Sequence, residues 1–219
     1  MRFALITEGV SENRIIKHIL EKYFKELQPY FRQIQPQIVN NKQETIGGWN
    51  EVLKYCERED DLTEIFINSD YLVIQIDTDQ SQTKPFNISH TKVNNKPKTI
   101  EELYIDVVQK LKGLIKPAIL EQYGNRIFFA ICIHTIECWL LPLYFTNNHK
   151  SDTRNCLSSL NNELRRLNIH TISLKDKNNP NSIRTYETIL RNWQRKQDII
   201  NSAQHNLSFK KFIDSINFI

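Results

Sequence analysis

The chain reads as an α/β fold, a mostly parallel sheet flanked by helices, with a helical C-terminal extension. Three observations predict it. A short apolar run, Arg2–Ile6, passes through one tight turn straight into an amphipathic stretch. Two further apolar runs, Tyr71–Asp77 and Arg126–Ile133, are strand-length and separated by helix-period sequence, the alternation that builds parallel sheets. Beyond residue 150 the apolar pattern is helical alone. The expected organisation is one α/β unit over residues 1–150 and a helical extension over 151–219 packed on it.

Each element follows from its own pattern. After the first strand, apolar residues recur at Ile15, Ile16, Ile19, Leu20, Tyr23, Phe24 and Leu27, the stripe of an amphipathic helix. Ser11 is its expected N-cap and Pro29 its stop. Gln33–Val39 reads as a second strand, and Pro36 within it argues for a sheet edge. Gly47-Gly48 could cradle a phosphate, but no GxGxxG or Walker pattern surrounds the pair, so a turn is the simpler reading. Trp49–Glu59 carries Trp49, Val52, Leu53 and Cys56 on one helical face, and Glu57–Asp61 reads as its solvated end. The polar stretch Gln80–Lys98 is long for a loop within a compact domain and is expected to act as a flap. A helix over Ile100–Leu120 is expected to stop near Pro117. In the extension, helices are expected over Leu157–Leu167, Ile183–Trp193 and Phe209–Ile216. Asn- and Lys-rich connectors such as Lys175–Ser182 join them.

Composition narrows the class. Apolar residues make up 40% and charged residues 25%, ordinary for a globular protein, and no apolar run is long enough to span a bilayer. The first residues turn acidic too soon for a signal peptide. The four cysteines form no CxxC pair or zinc spacing, and Cys132 and Cys138 read as reduced core residues of a cytoplasmic protein. The net charge of +4 is unevenly spread: residues 1–150 hold 18 basic against 19 acidic side chains, and residues 151–219 hold 11 against 6. A basic tail of this kind permits nucleic-acid contact and is equally consistent with a solvated Lys/Arg face.

The chemistry concentrates at strand ends. Asp77 and Asp79 are two residues apart, so a strand that persisted to its end would point both carboxylates the same way. Carboxylates so placed repel unless a cation lies between them or one is protonated. A hard divalent ion with oxygen ligands is the natural resolution, though Asp is also common in turns after strands. Glu8 stands at the carboxyl end of the first strand, where sites form in open α/β sheets, and by itself could be an exposed turn carboxylate. Glu12 by itself fits a first-turn residue complementing the helix dipole. Glu137 lies in apolar sequence and must either face outward or have a partner such as a cation. His134 fits a strand-end hydrogen-bonder better than a magnesium ligand. Parallel strands would bring Glu8, Asp77 and Asp79 to one edge, within reach of one or two divalent ions.

EGVSE at 8–12 with IDTD at 76–79 resembles the Toprim domain of topoisomerases, primases and OLD-type nucleases. With GGW at 47–49, IECWLLPLYF at 136–145 and SFKKFIDSI at 208–216, nearly the whole chain resembles the small bacterial Toprim-like proteins of the DUF4276 group. The resemblance implies a Toprim/Rossmann-like fold and a nuclease cutting DNA or RNA with Mg2+, or Mn2+ in its place. Glu8, Asp77 and Asp79 would be metal ligands and catalytic, with Glu12 as a further catalytic carboxylate and Glu137 as a further ligand. Lys84 is the nearest candidate for a catalytic lysine. It also implies an anti-phage effector working with an ABC/SMC-like ATPase subunit, with self-association open. The alternative is a non-catalytic regulatory or binding subunit of such a complex. A phosphotransferase of the haloacid-dehalogenase kind fits poorly, because its DxD strand lies near the start of the chain and Ser81 here stands at the fifth position. A DxD glycosyltransferase lacks a legible nucleotide-sugar pocket.

Overall fold

The computed structural model describes residues 1–39 and 42–219, the side chains of 38, 39, 42 and 43 excepted. Asn40 and Asn41, which open a polar stretch over 40–48 that reads as a loop in the sequence, lie outside the described residues. Strands β1 (Arg2–Ile6), β2 (Tyr30–Gln35), β5 (Tyr71–Asp77) and β6 (Ile127–Cys132) form a parallel sheet in the order β2-β1-β5-β6. A separate antiparallel pair joins β3 (Ile38–Val39) to β4 (Lys42–Gln43). The fold is α/β and Rossmann-like, with helices on both faces of the sheet and a helical C-terminal region.

Strand alternation assigns the faces. Phe3, Leu5, Val73 and Ala130 pack with α1 (Val10–Tyr23) and with the C-terminal helices α6 (Cys156–Arg166), α7 (Pro180–Leu190), α8 (Lys196–Ala203) and α9 (Leu207–Ile216). Ala4, Ile6, Leu72 and Ile74 pack with α2 (Trp49–Cys56), α3 (Glu59–Asn68), α4 (Ile100–Leu114) and α5 (Pro117–Tyr123). The first face is closed by aromatics: Trp139 stacks on Phe209 at 4.6 Å between ring centres, and Trp193 lies 5.6 Å from Phe209. Their indole N–H groups donate to Ser208 and Ser202, so these large rings are buried with their polar atoms satisfied. No helix among the described residues is long and apolar enough to cross a membrane.

Several local expectations change. α1 begins at Val10 with Gly9 as N-cap, so Ser11 is helical and its hydroxyl serves Glu12 instead of a cap. The second strand ends at Gln35, before Pro36, and does form the sheet edge. The acidic run after α2 is not a frayed end: Glu59, Asp60 and Asp61 form the first turn of α3, where carboxylates complement the helix dipole. Pro117 ends one helix by opening the next, at the first position of α5, where its missing N–H costs nothing. Cys138 is bonded to Cys156, with Cα atoms 5.0 Å apart, while Cys56 and Cys132 are free and buried. A separation of 18 residues gave no sign of that pairing; it arises because the 136–139 turn packs on α6. The 80–98 segment is anchored rather than a free flap. Ser81 and Phe86 are buried, Phe86 stacks on Trp49, and Lys92 and Lys98 are paired to Glu102 and Asp106 of α4.

Candidate active site

The connections create the site. β1 leads through α1 to β2 on one side, while β5 leads through α4 to β6 on the other, so the strand order reverses between β1 and β5. At that reversal the loops part, and a crevice opens outside the carboxyl ends of the strands. Glu8 leaves the end of β1 and Asp77 ends β5. Glu8 Oε1 accepts from the Asp77 backbone N–H at 2.6 Å, which ties the two strand ends together. Gln75, completely buried and on the same face as Asp77, bridges them. Its Oε1 accepts from Glu8 N at 3.1 Å and its Nε2 donates to Asp77 Oδ1 at 2.9 Å.

Three further segments add charge. Glu12 comes from the first turn of α1 and is 3% exposed, and Glu137 from a 3-10 turn after β6 is fully buried. Lys177 lies just before α7 and reaches into this group. Its Nζ is 2.8 Å from Glu12 Oε1, 3.1 Å from Glu137 Oε1 and 3.9 Å from Asp77 Oδ2. Tyr186 of α7 donates to the same Glu137 oxygen at 2.5 Å. The connector that carries Lys177 is held against α1: Asn178 Oδ1 accepts from Ser11 N at 3.1 Å. Ser11 Oγ donates to Glu12 Oε2 at 2.8 Å and lies 3.1 Å from Asn178 Oδ1. Gly9 makes this approach feasible. A Cβ there would stand 2.5 Å from Glu12 Oε2 and 3.3 Å from Asn178 Nδ2. Gly48 bonds its N–H to the Glu8 carbonyl at 2.6 Å and adopts φ of +102°, so it is a turn residue anchoring α2 to the crevice.

The electrostatics divide the carboxylates into two groups. Burial pushes Glu8 up to about 8, against the opposing Asp77 N–H bond, and Glu12 and Asp79 add to the rise. Burial likewise holds Asp77 well above its ordinary value, with Lys177 pulling the other way and Glu8 adding to the rise. For Glu137 burial is outweighed by Lys177 and by its hydrogen bonds, so its carboxyl is held below the usual range. Lys177 is shifted well upward because Glu12, Glu137 and Asp77 outweigh the effect of its burial. Lys177 thus compensates Glu137, while Glu8 and Asp77 remain short of positive charge.

The expected residues are brought together, with one exception in degree. Glu8, Glu12, Asp77 and Glu137 converge, but β5 stops at Asp77 and the chain turns there. The Thr78 N–H bonds to Cys132 O and His134 O, so Asp79 stands exposed at the rim instead of beside Asp77. Lys84 is exposed in the 80–98 segment. His134 is a strand-end hydrogen-bonder: its N–H donates to Thr78 Oγ1 at 2.8 Å, and its Nε2 accepts from Arg154. The lysine of the site is Lys177, from the Asn- and Lys-rich connector that leads into α7. Tyr186, Gln75 and Asn178 were equally unmarked in the sequence.

The donor set suits a hard cation. It is all carboxylate, two of its acids lack compensating charge, and Glu137 Oε2 is buried with no aligned hydrogen-bond donor, although Thr135 nearby favours its charge. The side chains close on the Lys177 ammonium, and among the described residues no three Asp, Glu, His or Cys groups already surround a common metal position. Compared with family models, curated proteins and solved structures, the chain matches none.

Proposed function

We propose that the protein is a divalent-metal-dependent nuclease that hydrolyses phosphodiesters of DNA or RNA at this crevice. The observation that carries the reading is the convergence of Glu8, Glu12, Asp77 and Glu137, from three stretches of the chain, at the strand-order reversal. Glu8 and Asp77, with Asp79 at the rim, would hold Mg2+ or Mn2+. Such an ion polarises a phosphoryl oxygen and lowers the pKa of bound water. Lys177 fixes Glu12 and Glu137 and keeps a positive charge where charge builds up on the phosphate. Gln75 and Gly48 hold the strand end and turn in place. A cytoplasmic anti-phage effector paired with an ABC/SMC-like ATPase is the setting supported by the resemblance in sequence.

A second reading is a non-catalytic subunit of the same complex. The closed Lys177–Glu12–Glu137 group favours it, because an internal cation satisfies carboxylates without metal. Cleavage of plasmid, single-stranded DNA and tRNA, titrated with Mg2+ and Mn2+, separates the two. The nuclease reading expects metal-dependent cutting that Glu8→Ala and Asp77→Ala both abolish. No cutting under any condition favours the second reading, and cutting that persists in both variants would place the activity outside this crevice.

A further inference from the structure

A second site lies on the other flank of α1, over the free edge of the sheet. Val10, Asn13, Arg14 and Lys17 recur at helical spacing along one stripe of α1. They face Phe31 and Gln33, which share one side of the edge strand β2. Between them is a cavity of about 250 Å³. Among the described residues, three buried polar atoms of its lining have no hydrogen-bond partner: the donors Asn13 Nδ2 and Arg14 Nε and the acceptor Gln33 Oε1. Asn13 is only 7% exposed. Leaving one such atom unsatisfied costs about 1–3 kcal/mol, so three around one cavity mark a place built to receive something polar.

The lining selects among ligands. Inorganic phosphate could answer the two donors and, through a P–OH, Gln33 Oε1, but would make no use of Phe31. An apolar ligand would answer none. A nucleotide supplies phosphate oxygens, hydroxyl or amine donors and a flat base. Phe31 stacks on Phe3 with ring centres 5.8 Å apart, and Lys17 Nζ sits over its ring 5.7 Å from the centre, so a base would stack there by displacing the ammonium. Arg14 and Lys17 are paired to Glu187 and Glu21, which moderates the positive charge and disfavours a site tuned to phosphate alone. The cavity draws on the same chain segments as the carboxylates. Asn13 follows Glu12, and Gln33 Nε2 approaches Thr7 Oγ1, one residue before Glu8.

We propose that this cavity holds one nucleotide of a single-stranded nucleic acid and so sets the direction in which the strand enters the carboxylate crevice. The proposal rests on the nuclease reading for the crevice, but the binding itself can be measured apart from cutting. The test is fluorescence anisotropy with a labelled single-stranded oligonucleotide, as DNA and as RNA, in EDTA. Wild type is compared with Asn13→Leu, Lys17→Glu and Lys112→Glu. Asn13→Leu and Lys17→Glu are expected to weaken binding on the order of tenfold each, the worth of one lost hydrogen bond to a charged group. Lys112→Glu makes the same charge change on α4, on the opposite face of the sheet, and should bind as well as wild type. Because Asn13 Nδ2 is unpaired in the free protein, Asn13→Leu should leave the unfolding midpoint unchanged or raised, which separates ligand loss from misfolding.

Equal binding by wild type, Asn13→Leu and Lys17→Glu would overturn the proposal, as would the absence of any oligonucleotide binding. A free mononucleotide competing as strongly as the strand would also overturn it, since the ligand would then be the nucleotide and not the chain. Failure of the nuclease reading looks different: binding sensitive to Asn13 and Lys17 with no metal-dependent cutting.

Discussion

Lys177→Met tests the electrostatic design of the crevice most sharply. It keeps the apolar stem and removes the ammonium. Glu12 and Glu137, 3% and 0% exposed, then lose the cation that lies 2.8 Å and 3.1 Å from them, and Asp77 loses its attraction at 3.9 Å. Removing one partner of a buried ion pair costs about 3–5 kcal/mol, because an uncompensated charge stays behind. In a protein of this size each kcal/mol lowers the melting temperature by about 2–4 °C, which gives an expected drop of about 6–20 °C near neutral pH. The loss should shrink in mild acid, where the freed carboxylates take up protons. The double variant Lys177→Met/Glu137→Gln should recover part of it. Urea and thermal unfolding at two pH values measure all three. A loss below about 1 kcal/mol, with no pH dependence and no recovery, would show that Lys177 is a solvated side chain and refute the assignment.

Two other consequences are as direct. Glu8 titrates near 8 in the folded chain against an ordinary 4.5. The folded state therefore binds more protons than the unfolded chain across that window, and without divalent metal its stability should fall as pH rises from 4.5 to 8. Glu8→Gln should flatten that slope in pH-dependent urea unfolding, and an unchanged slope would assign the effect elsewhere. Gly9→Ala should cost about 1–3 kcal/mol and reduce cleavage. Its Cβ meets Glu12 Oε2, and that carboxylate is pinned by Ser11 and Lys177; a neutral unfolding midpoint would mean Glu12 can swing aside.

The α/β class and three of the four parallel strands were legible because buried strands announce themselves as short β-branched runs. The edge strand was placed with its boundary shifted. Helices α3 and α8 went unread because their apolar faces are short and interleaved with acidic or polar residues. Of the crevice, the carboxylates were visible and their geometry was not. Asp79 diverges because the last strand residue is Asp77, a boundary set by the bonds of Thr78 to the loop after β6. Lys177 could not be found from its own neighbourhood. Its role comes from Asn178 docking on α1, more than 160 residues away in sequence, and from Asn179 capping α7. Nothing in a run of Lys, Asp and Asn distinguishes such a connector from a solvated one.

The most direct test of the crevice as a metal centre is calorimetric titration of Mn2+ into the wild-type protein at pH 7 in two buffers of different ionisation enthalpy. Burial pushes the Glu8 carboxyl up to about 8 and shifts Asp77 in the same direction, so binding at Glu8 must expel protons, and the apparent heat must differ between the buffers. The expected result is saturable binding with net proton release, both lost in Glu8→Gln and in Asp77→Asn. Mn2+ binding without proton release, binding that survives both substitutions, or no binding to the wild type would contradict a divalent-metal centre at this edge.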